Sequence, residues 1–402
     1  MKVSVIGLGY IGLPTSILLA KSGKQVLGVD INEDYLKKIN NNKVISKEKN
    51  LEKYLNEVLL DKSFSTQQTL NKSDVFIIVV PTPVNKDKTP DITFVHDVII
   101  NLAPKLEIGN LVIIESTCPV GTTKKFSDLL FQKRPDLKDK LYMAYCPERV
   151  IPGDIFNELL QNDRIVGGIN KESSKQAEIF YKSFVKGNIH LTDSNTAELC
   201  KLAENASRDA QIAFANELSI ICEKVDVNPW ELVNLANKHP RVNILNPGVG
   251  VGGHCIAVDP WFLVSEFKDE SNLISTVRET NLNKTKWCLD KIFSNIQLFI
   301  NINNKQPKIA CMGLAYKPDV DDLRESPAFY IANNIYNKYE DNTLIIEPNI
   351  SEHQLFELSS INDALEKADI IVWLVLHKEF KALKINKKTI QLDFIGLNSK
   401  HN

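Results

Sequence analysis

The residue with most chemistry to offer is a cysteine set among glycines, in the run Gly250-Val251-Gly252-Gly253-His254-Cys255-Ile256-Ala257-Val258-Asp259-Pro260. Glycines on one side of a thiol let the backbone pass close to a ligand, and His254 and Asp259 are near the thiol in sequence. A nucleophilic thiol in a dehydrogenase can trap an aldehyde as a thiohemiacetal, which permits a second hydride removal and leaves a thioester for water to open. Taken alone, Cys255 reads as a small buried hydrophobe in a glycine-rich turn, the commoner fate of cysteine.

What favours the reactive reading is a second motif, Gly7-Leu8-Gly9-Tyr10-Ile11-Gly12, which follows a strand-like run and precedes a helical one, with Asp30 ending the next strand. Such glycines permit a tight turn and close backbone approach to a pyrophosphate, which the following helix N-terminus stabilises, and the acid can accept hydrogen bonds from ribose hydroxyls. Strand, spacing and acid agree, so the segment reads as a dinucleotide site. An acid at position 30 favours NAD over NADP, because a 2′-phosphate would meet like charge.

Lys201 and Asn205 are four residues apart on a long helical stretch and share a face. Pattern alone favours a solvated lysine paired with Glu198 or Glu204. The other six cysteines, at 118, 146, 200, 222, 288 and 311, sit in strand or helix patterns without flanking glycines and read as structural. With an odd total and no C-x-x-C spacing, the cysteines point to reduced thiols, a cytoplasmic location and no metal site.

These residues need a scaffold of more than one core, since 402 residues exceed what one core organises. Hydrophobic residues are 43% and charged residues 24%, an ordinary globular balance, and the net charge of −2 gives no basic footprint for nucleic acid. The apolar start is broken by glycines and reads as strand, turn and helix instead of a signal sequence; no later run is long and apolar enough for a membrane span. Strand-length runs VSVIG, QVLGVD, VFIIVV, LVIIES and YMAYC alternate with helical stretches in the first 146 residues. From Asn195 to Val225 the pattern is one long helix, with Asn195 and Glu198 resembling a capping box. A second alternation begins with KIACMGL and continues through TLIIEP and DIIVWLVL. The expected fold is therefore α/β: two Rossmann-like doubly wound parallel-sheet domains joined by a central helical domain with a long helix. The expected divisions are 1–190 for NAD binding, 191–303 for the helical centre with the cysteine, and 304–402 for a second α/β domain.

Seven ordered motifs carry a resemblance over nearly the whole chain: GLGYIGLPT at 7–15, VPTP at 80–83, ESTCPVGTT at 115–123, CPER at 146–149, AELCKLAENASRD at 197–209, GVGVGGHCIAVDPWF at 248–262 and GLAYKPDVDDLRESPA at 313–328. In these the chain resembles the UDP-glucose/UDP-mannose dehydrogenase family. The resemblance implies that Gly7, Gly9, Tyr10, Ile11, Gly12 and Asp30 bind NAD, joined by Thr82 and Thr117, and that Cys255 is the nucleophile. It gives Lys201 the role of stabilising negative charge on the substrate oxygen, Asn205 and Asp259 that of placing water or orienting the site, and Glu148 that of acid/base in thioester hydrolysis. Those residue types suit the tasks, because an oxyanion needs a positioned cation or donor and proton removal needs a base. The C-terminal domain of the family contributes to the UDP side, which gives Lys317 and Arg324 phosphate or cofactor contacts; for Lys317 a surface charge beside Asp319, Asp321 and Asp322 reads equally well. Arg241 resembles an arginine that reaches the nucleotide sugar of a neighbouring subunit, and Arg149, Arg208, Gly252 and His254 fall on the substrate side.

Within the family, His254 and Val258 stand where the UDP-glucose enzymes typically carry serine and lysine. The continuation Ala257-Val258-Asp259-Pro260-Trp261-Phe262, with His239-Pro240-Arg241-Val242-Asn243 upstream, resembles the branch that oxidises UDP-N-acetylmannosamine for cell-surface polysaccharide precursors. Oxidation of UDP-N-acetylglucosamine or UDP-glucose at C6 is the alternative. A two-electron hydroxyacid dehydrogenase would not need Cys255 in a glycine loop, and a silent nucleotide-binding protein would not keep Cys255, Lys201, Asn205, Glu148 and Asp259 together. One departure is Asp393, followed by Phe394-Ile395-Gly396 where the family has a nearby basic residue. The stripe Leu202, Ala206, Ala210, Ala213, Leu218 and Ile221 suits a core face or a dimer seam, and the resemblance favours a homodimer or higher homo-oligomer.

Overall fold

A computed structural model describes residues 1–44, 48–150 and 153–397. By compactness the chain falls into two units, Met1–Ala203 and Glu204–Asn402, each built on its own sheet.

In the first unit the order is β1 Lys2–Ile6, α1 Gly12–Lys21, β2 Gln25–Val29, α2 Glu33–Asn40, α3 Leu51–Leu60, β3 Phe64–Gln67, β4 Val75–Ile78, α4 Thr93–Leu102, β5 Leu111–Ile114 and α5 Thr122–Lys133. Then come β6 Tyr142–Tyr145, α6 Ile155–Gln161, β7 Arg164–Gly168, α7 Lys171–Lys182 and β8 Ile189–Asp193. The sheet order is β3-β2-β1-β4-β5-β6-β7-β8. Strands β4 (VFII) and β5 (LVII) are buried at every residue, as a parallel sheet covered on both faces requires. Alternate residues of β4 serve opposite cores: Val75 and Ile77 join one cluster, Phe76 and Ile78 the other.

The sheet is not parallel throughout. β1 to β6 are parallel to one another, whereas β7 pairs antiparallel with β6 and carries β8 parallel to itself. An antiparallel step needs no full crossover helix, and the short α6 is the only helix between β6 and β7 among the described residues. Thus β3, β7 and β8, whose runs have little apolar continuity, extend the sheet beyond the five expected strands.

Helix α8, Ser194–Lys224, is the long helix anticipated from the sequence, and the division between the units falls within it. Its start differs from the expected capping box. Asp193 accepts from the Thr196 N–H at 3.0 Å and from its hydroxyl at 2.7 Å. Glu198 is instead fully buried and turns to α5, accepting from Gly121 N at 2.6 Å, Thr123 N at 2.8 Å and Thr123 Oγ1 at 2.6 Å. It supplies the acceptors for N–H groups that the start of α5 cannot satisfy internally.

The second unit continues with α9 Pro229–Ala236, α10 Asp259–Glu266, α11 Asn272–Asn303, β9 Ile309–Met312, α12 Pro327–Tyr339, β10 Thr343–Ile346, α13 Ile361–Lys367, β11 Ile370–Trp373 and β12 Ile390–Asp393. Its four strands are all parallel, in the order β10-β9-β11-β12, with Ile309 and Cys311 facing one core and Ala310 and Met312 the other. No helix among the described residues is long and apolar enough to cross a membrane.

Candidate active site

The glycine turn after β1 is shaped by contacts that a side chain would prevent. Gly7 has φ +90° and a Cβ there would lie 2.4 Å from the Val79 carbonyl oxygen; a Cβ on Gly12 would lie 1.8 Å from that of Gly7. Gly9 differs, because a Cβ there would meet nothing within 4 Å. The turn is therefore held by Gly7 and Gly12, and Gly9 leaves open space. Beyond it, α1 starts after Ile11 without a side-chain cap; Leu13 N donates to the Gly9 carbonyl at 3.2 Å and Pro14 has no N–H, which leaves the Gly12 N–H at the helix start to meet an anion. Asp30, at the end of β2, accepts from Leu8 N at 2.9 Å through Oδ2 and from Asn32 N at 2.9 Å through Oδ1. One carboxylate thus ties the glycine turn to β2 and keeps lone pairs for hydroxyl donors. Open space over Gly9, an uncapped helix start and an acid at the strand end fit a dinucleotide. Thr82 and Thr117 are half-buried on the loops after β4 and β5, next in order to β1 in the sheet.

Tyr10 is partly exposed and its hydroxyl donates to Glu48. Glu48, which sequence reasoning did not single out, is buried and also accepts from Gly153 N at 2.7 Å and Ile155 N at 3.2 Å. It thereby links the glycine turn to the start of α6.

Glu148 and Lys201 come together in the first unit. The Lys201 ammonium donates to the Glu148 backbone carbonyl at 2.7 Å, which replaces the pairing with Glu198 or Glu204 that the helix pattern favoured. The Glu148 carboxylate accepts from Arg149 N at 2.5 Å, Val150 N at 2.7 Å and the buried Arg164 guanidinium at 3.4 Å. Arg149 itself is exposed and donates to the Asp163 carbonyl at 3.4 Å. Arg164 lacks any signal in sequence, since a lone arginine opening a short strand resembles a surface residue.

In the second unit the thiol loop packs against its own neighbours. A Cβ on Gly252 would lie 2.6 Å from the Glu325 carbonyl oxygen and one on Gly253, at φ +84°, 2.8 Å from the Tyr316 ring. The expectation that these glycines make room for a ligand is thus incomplete: they first make room for the segment 316–325. Cys255 is half-buried, and its carbonyl accepts from Val258 N at 3.0 Å and Asp259 N at 2.8 Å, which turns the loop into α10. Asp259 is buried at the first position of α10, where a carboxylate suits the helix dipole, and accepts from the Asn205 amide at 2.5 Å. Asn205 and Asp259 therefore meet.

Arg324 forks onto Asp322, with Nε at 2.9 Å and Nη2 at 2.7 Å, and its carbonyl accepts from the Gly253 N–H at 3.0 Å. The Asp322 carboxyl, which burial alone would raise, is lowered overall by its bonds to Arg324. The Arg324 pKa is raised first by its bond to Asp322, with smaller contributions from Tyr316 and Cys255. The thiol loop and Arg324 are thus neighbours, joined at Gly253. His254 is exposed and 3.8 Å from Asp322. Lys317 is half-buried with its ammonium 5.7 Å from the Tyr316 ring centre. Arg208 and Arg241 are exposed on α8 and after α9.

Burial separates the cysteines. Cys118, Cys146, Cys222, Cys288 and Cys311 are buried, while Cys200 and Cys255 are half-buried. Burial pushes Cys146, Cys288 and Cys311 up to about 12 and Cys118 well above its ordinary value. Cys118 lies on the loop after β5, outside any strand or helix.

The four-stranded sheet repeats the acid at the end of its second strand. Glu347 follows β10 and accepts from Leu314 N at 2.7 Å and Ala315 N at 3.0 Å in the turn after β9, as Asp30 does from Leu8. Here the carboxylate is fully buried and also meets His377 Nε2 at 3.0 Å. Burial would raise it, but His377 and these N–H groups lower it to about 2. The ribose-facing role is filled internally. Asp319, His377 and Glu379 could in principle approach a metal, but His377 Nδ1 already accepts from Asp319 N at 3.0 Å. Asp393 accepts from Ile395 N, Gly396 N and Leu397 N at 3.0, 2.8 and 3.2 Å. The departure after Asp393 therefore forms a turn, and a Cβ on Gly396 would lie 2.6 Å from Trp230 Nε1.

The apolar stripe of α8 is not one exposed seam. Leu202, Ala206 and Ala213 are buried, whereas Ile221 is exposed, as are Leu199, Phe214 and Val225.

Residues 1–185 match the NAD binding domain of the UDP-glucose/GDP-mannose dehydrogenase family, residues 195–283 its central domain and residues 310–395 its UDP binding domain. The chain is 46% identical over 398 residues to the UDP-N-acetyl-D-mannosamine dehydrogenase of Yersinia pestis, spanning 95% of each chain. It is 44% identical over 397 residues to the NDP-N-acetyl-D-galactosaminuronic acid dehydrogenase of Ralstonia nicotianae, spanning 96% of this chain and 93% of that one. Among solved structures it is similar to the UDP-N-acetyl-mannosamine dehydrogenase of Staphylococcus aureus, with 37% identity, a TM-score of 0.88 and 99% of both chains covered.

Proposed function

Because the chain belongs to the UDP-glucose/GDP-mannose dehydrogenase family and is an NAD-dependent oxidoreductase acting on a UDP-sugar, we propose that it oxidises the C6 hydroxyl of UDP-N-acetylmannosamine to the carboxylate through a thioester on Cys255. NAD, when bound at Gly7, Gly9, Tyr10, Ile11, Gly12, Asp30, Thr82 and Thr117, with Arg324 as a further contact, supplies the hydride acceptor for both oxidations.

The chain's own residues do the rest. The Cys255 sulfur adds to the aldehyde carbon, and the Lys201 ammonium offsets the negative charge that develops on the oxygen. In the last step water bonds to the thioester carbon, its proton passes to Glu148, and the carbon–sulfur bond breaks to release the acid and the thiolate. Asn205 and Asp259 orient the site, while Arg149, Arg208, Arg241, Gly252, His254 and Lys317 hold the nucleotide sugar. The observation that carries the covalent reading is the half-buried Cys255 on a glycine turn beside Arg324 and ahead of the Asn205–Asp259 pair.

Both mannosamine relatives named above support the choice of sugar. The Ralstonia relative keeps a second reading open, in which the sugar is another N-acetylated hexosamine. In the proposed division, 1–190 binds NAD, 191–303 carries the thiol and 304–402 holds the UDP side; the three family matches support it. The exposed apolar residues Phe214 and Ile221 support a homodimer through α8. The product fits cytoplasmic synthesis of polysaccharide precursors.

The test is the amount of NADH formed per sugar consumed with UDP-N-acetylmannosamine, UDP-N-acetylglucosamine and UDP-glucose. Two NADH with the first sugar support the proposal, two with another move the substrate, and one with every sugar overturns the thioester route. Cys255→Ser is expected to abolish acid formation while leaving NAD binding unchanged.

A further inference from the structure

Behind Glu148 lies a second carboxylate that the proposed chemistry does not use. Glu115 directly follows β5 and is buried, as is Arg164 at the start of β7. The Tyr181 hydroxyl, on α7, donates to Glu115 Oε1 at 2.6 Å. Arg164 donates to Glu148 Oε2 at 3.4 Å and to the Leu159 carbonyl at 3.4 Å, and its guanidinium carbon is 5.4 Å from the Tyr181 ring centre. Among the described residues, Glu115 Oε2 and Arg164 Nε are buried without a hydrogen-bond partner. One cation thus stacks on the tyrosine that holds Glu115 and donates to Glu148, in a dry part of the protein with an acceptor and a donor left over.

We propose that Glu115 is a positioning residue for Glu148, acting through Tyr181 and the Arg164 guanidinium that stacks on it. This rests on the assignment of Glu148 as the base of thioester hydrolysis.

The physical reason is competition for one charge. Buried charges interact strongly because little water screens them. With Glu115 ionised, its charge draws on Arg164 across the Tyr181 ring, and the 3.4 Å contact of Arg164 leaves Glu148 free to turn toward water. With Glu115 protonated, the whole charge of Arg164 falls on Glu148 and holds it in place. The charged and titratable groups around Glu115 are Arg164 from β7, Glu148 from the loop after β6, Tyr181 from α7 and Cys146 at the end of β6. Burial is the main cause that raises the Glu115 carboxyl, to about 7, with Arg164 and Tyr181 opposing and Glu148 adding to the rise. The change of state therefore falls near neutral pH, and the hydrolysis step slows as pH drops through that range. A purely structural salt bridge would give a stability effect and no such limb.

The experiment uses the full chain with NAD and UDP-N-acetylmannosamine and follows kcat and KM from pH 5.5 to about 9, the range that spans the Glu115 transition. Glu115→Gln fixes the uncharged state; it is expected to lower kcat at high pH by about tenfold, leave KM little changed and remove the limb near neutrality. Glu115→Asp is expected to restore the limb. Tyr181→Phe, which keeps the ring and removes one donor to the carboxylate, is expected to move the limb upward. Carboxyl infrared difference spectra of wild type against Glu115→Gln read the same titration without turnover. A wild-type profile in Glu115→Gln, or a limb unmoved in Tyr181→Phe, overturns the proposal. Glu148→Gln separates the two layers: if it turns over normally, the assignment of Glu148 is wrong; if it stalls while Glu115→Gln behaves as wild type, only the role of Glu115 is wrong.

Discussion

Replacing Asp30 with asparagine tests how far one carboxylate supports the dinucleotide site. The substitution keeps shape and removes an acceptor: Asp30 accepts from Leu8 N through Oδ2 and Asn32 N through Oδ1, both at 2.9 Å. An amide offers only one oxygen, so one of these N–H groups must face an NH2 donor. Losing a charge-assisted hydrogen bond costs about 1.5–3 kcal/mol. Asparagine also presents a weaker acceptor to the ribose hydroxyls, and the combined loss is roughly 2–4 kcal/mol, about 30- to 900-fold in Kd. The assay is calorimetric titration of wild type and Asp30→Asn with NAD, with thermal unfolding of each as a control on folding. A Kd within about threefold of wild type, in a protein that unfolds normally, would refute the assignment. Titration with NADP refines the result, because removing the negative charge should narrow the preference for NAD.

Other outcomes follow from single contacts. Glu198→Ala leaves three donors at the start of α5 without their acceptor; at about 1 kcal/mol or more for each, the unfolding midpoint should fall by roughly 6–12 °C, as differential scanning calorimetry would show. Gly253→Ala places a Cβ at φ +84° and 2.8 Å from the Tyr316 ring, so a cost of about 2 kcal/mol is expected in denaturant titration, with NAD affinity unchanged. Glu115 binds its proton more tightly when folded, since burial raises its carboxyl to about 7. Its contribution to stability is therefore fully present below the unfolded carboxylate value and is lost as pH rises through about 7. Glu115→Gln should remove that loss, which is about 3 kcal/mol at most, measured as the difference in unfolding free energy between pH 5 and pH 8.

Much of the scaffold could be read from local pattern. The runs VFII and LVII became fully buried strands because continuous apolar sequence of that length suits a sheet covered on both faces. Helix α8 needed only a long stretch without glycine or proline. The glycines at 7 and 12 marked their turn because no other residue fits so close to the Val79 and Gly7 carbonyls. Strands β7 (RIVGG) and β8 (IHLTD), by contrast, lack a continuous apolar run, and β8 is largely exposed; their place depends on an antiparallel pairing of β7 with β6 that no local periodicity announces.

The sequence by itself determined the chemistry available: a thiol in a glycine turn, a dinucleotide motif with its acid, and a lysine and asparagine one helical turn apart. These features depend on residue type and on backbone rules that act over a few positions. The tertiary structure decided which groups those residues meet. Lys201 turned from its helix neighbours to the carbonyl of Glu148, Glu198 left its own helix to cap α5, and Gly253 made room for Tyr316. Buried groups far apart in sequence, such as Glu115, Arg164 and Glu148, share one environment only after the sheet has formed. The reason is that a polar group removed from water must find its partner wherever the fold brings one, and sequence spacing does not record that choice.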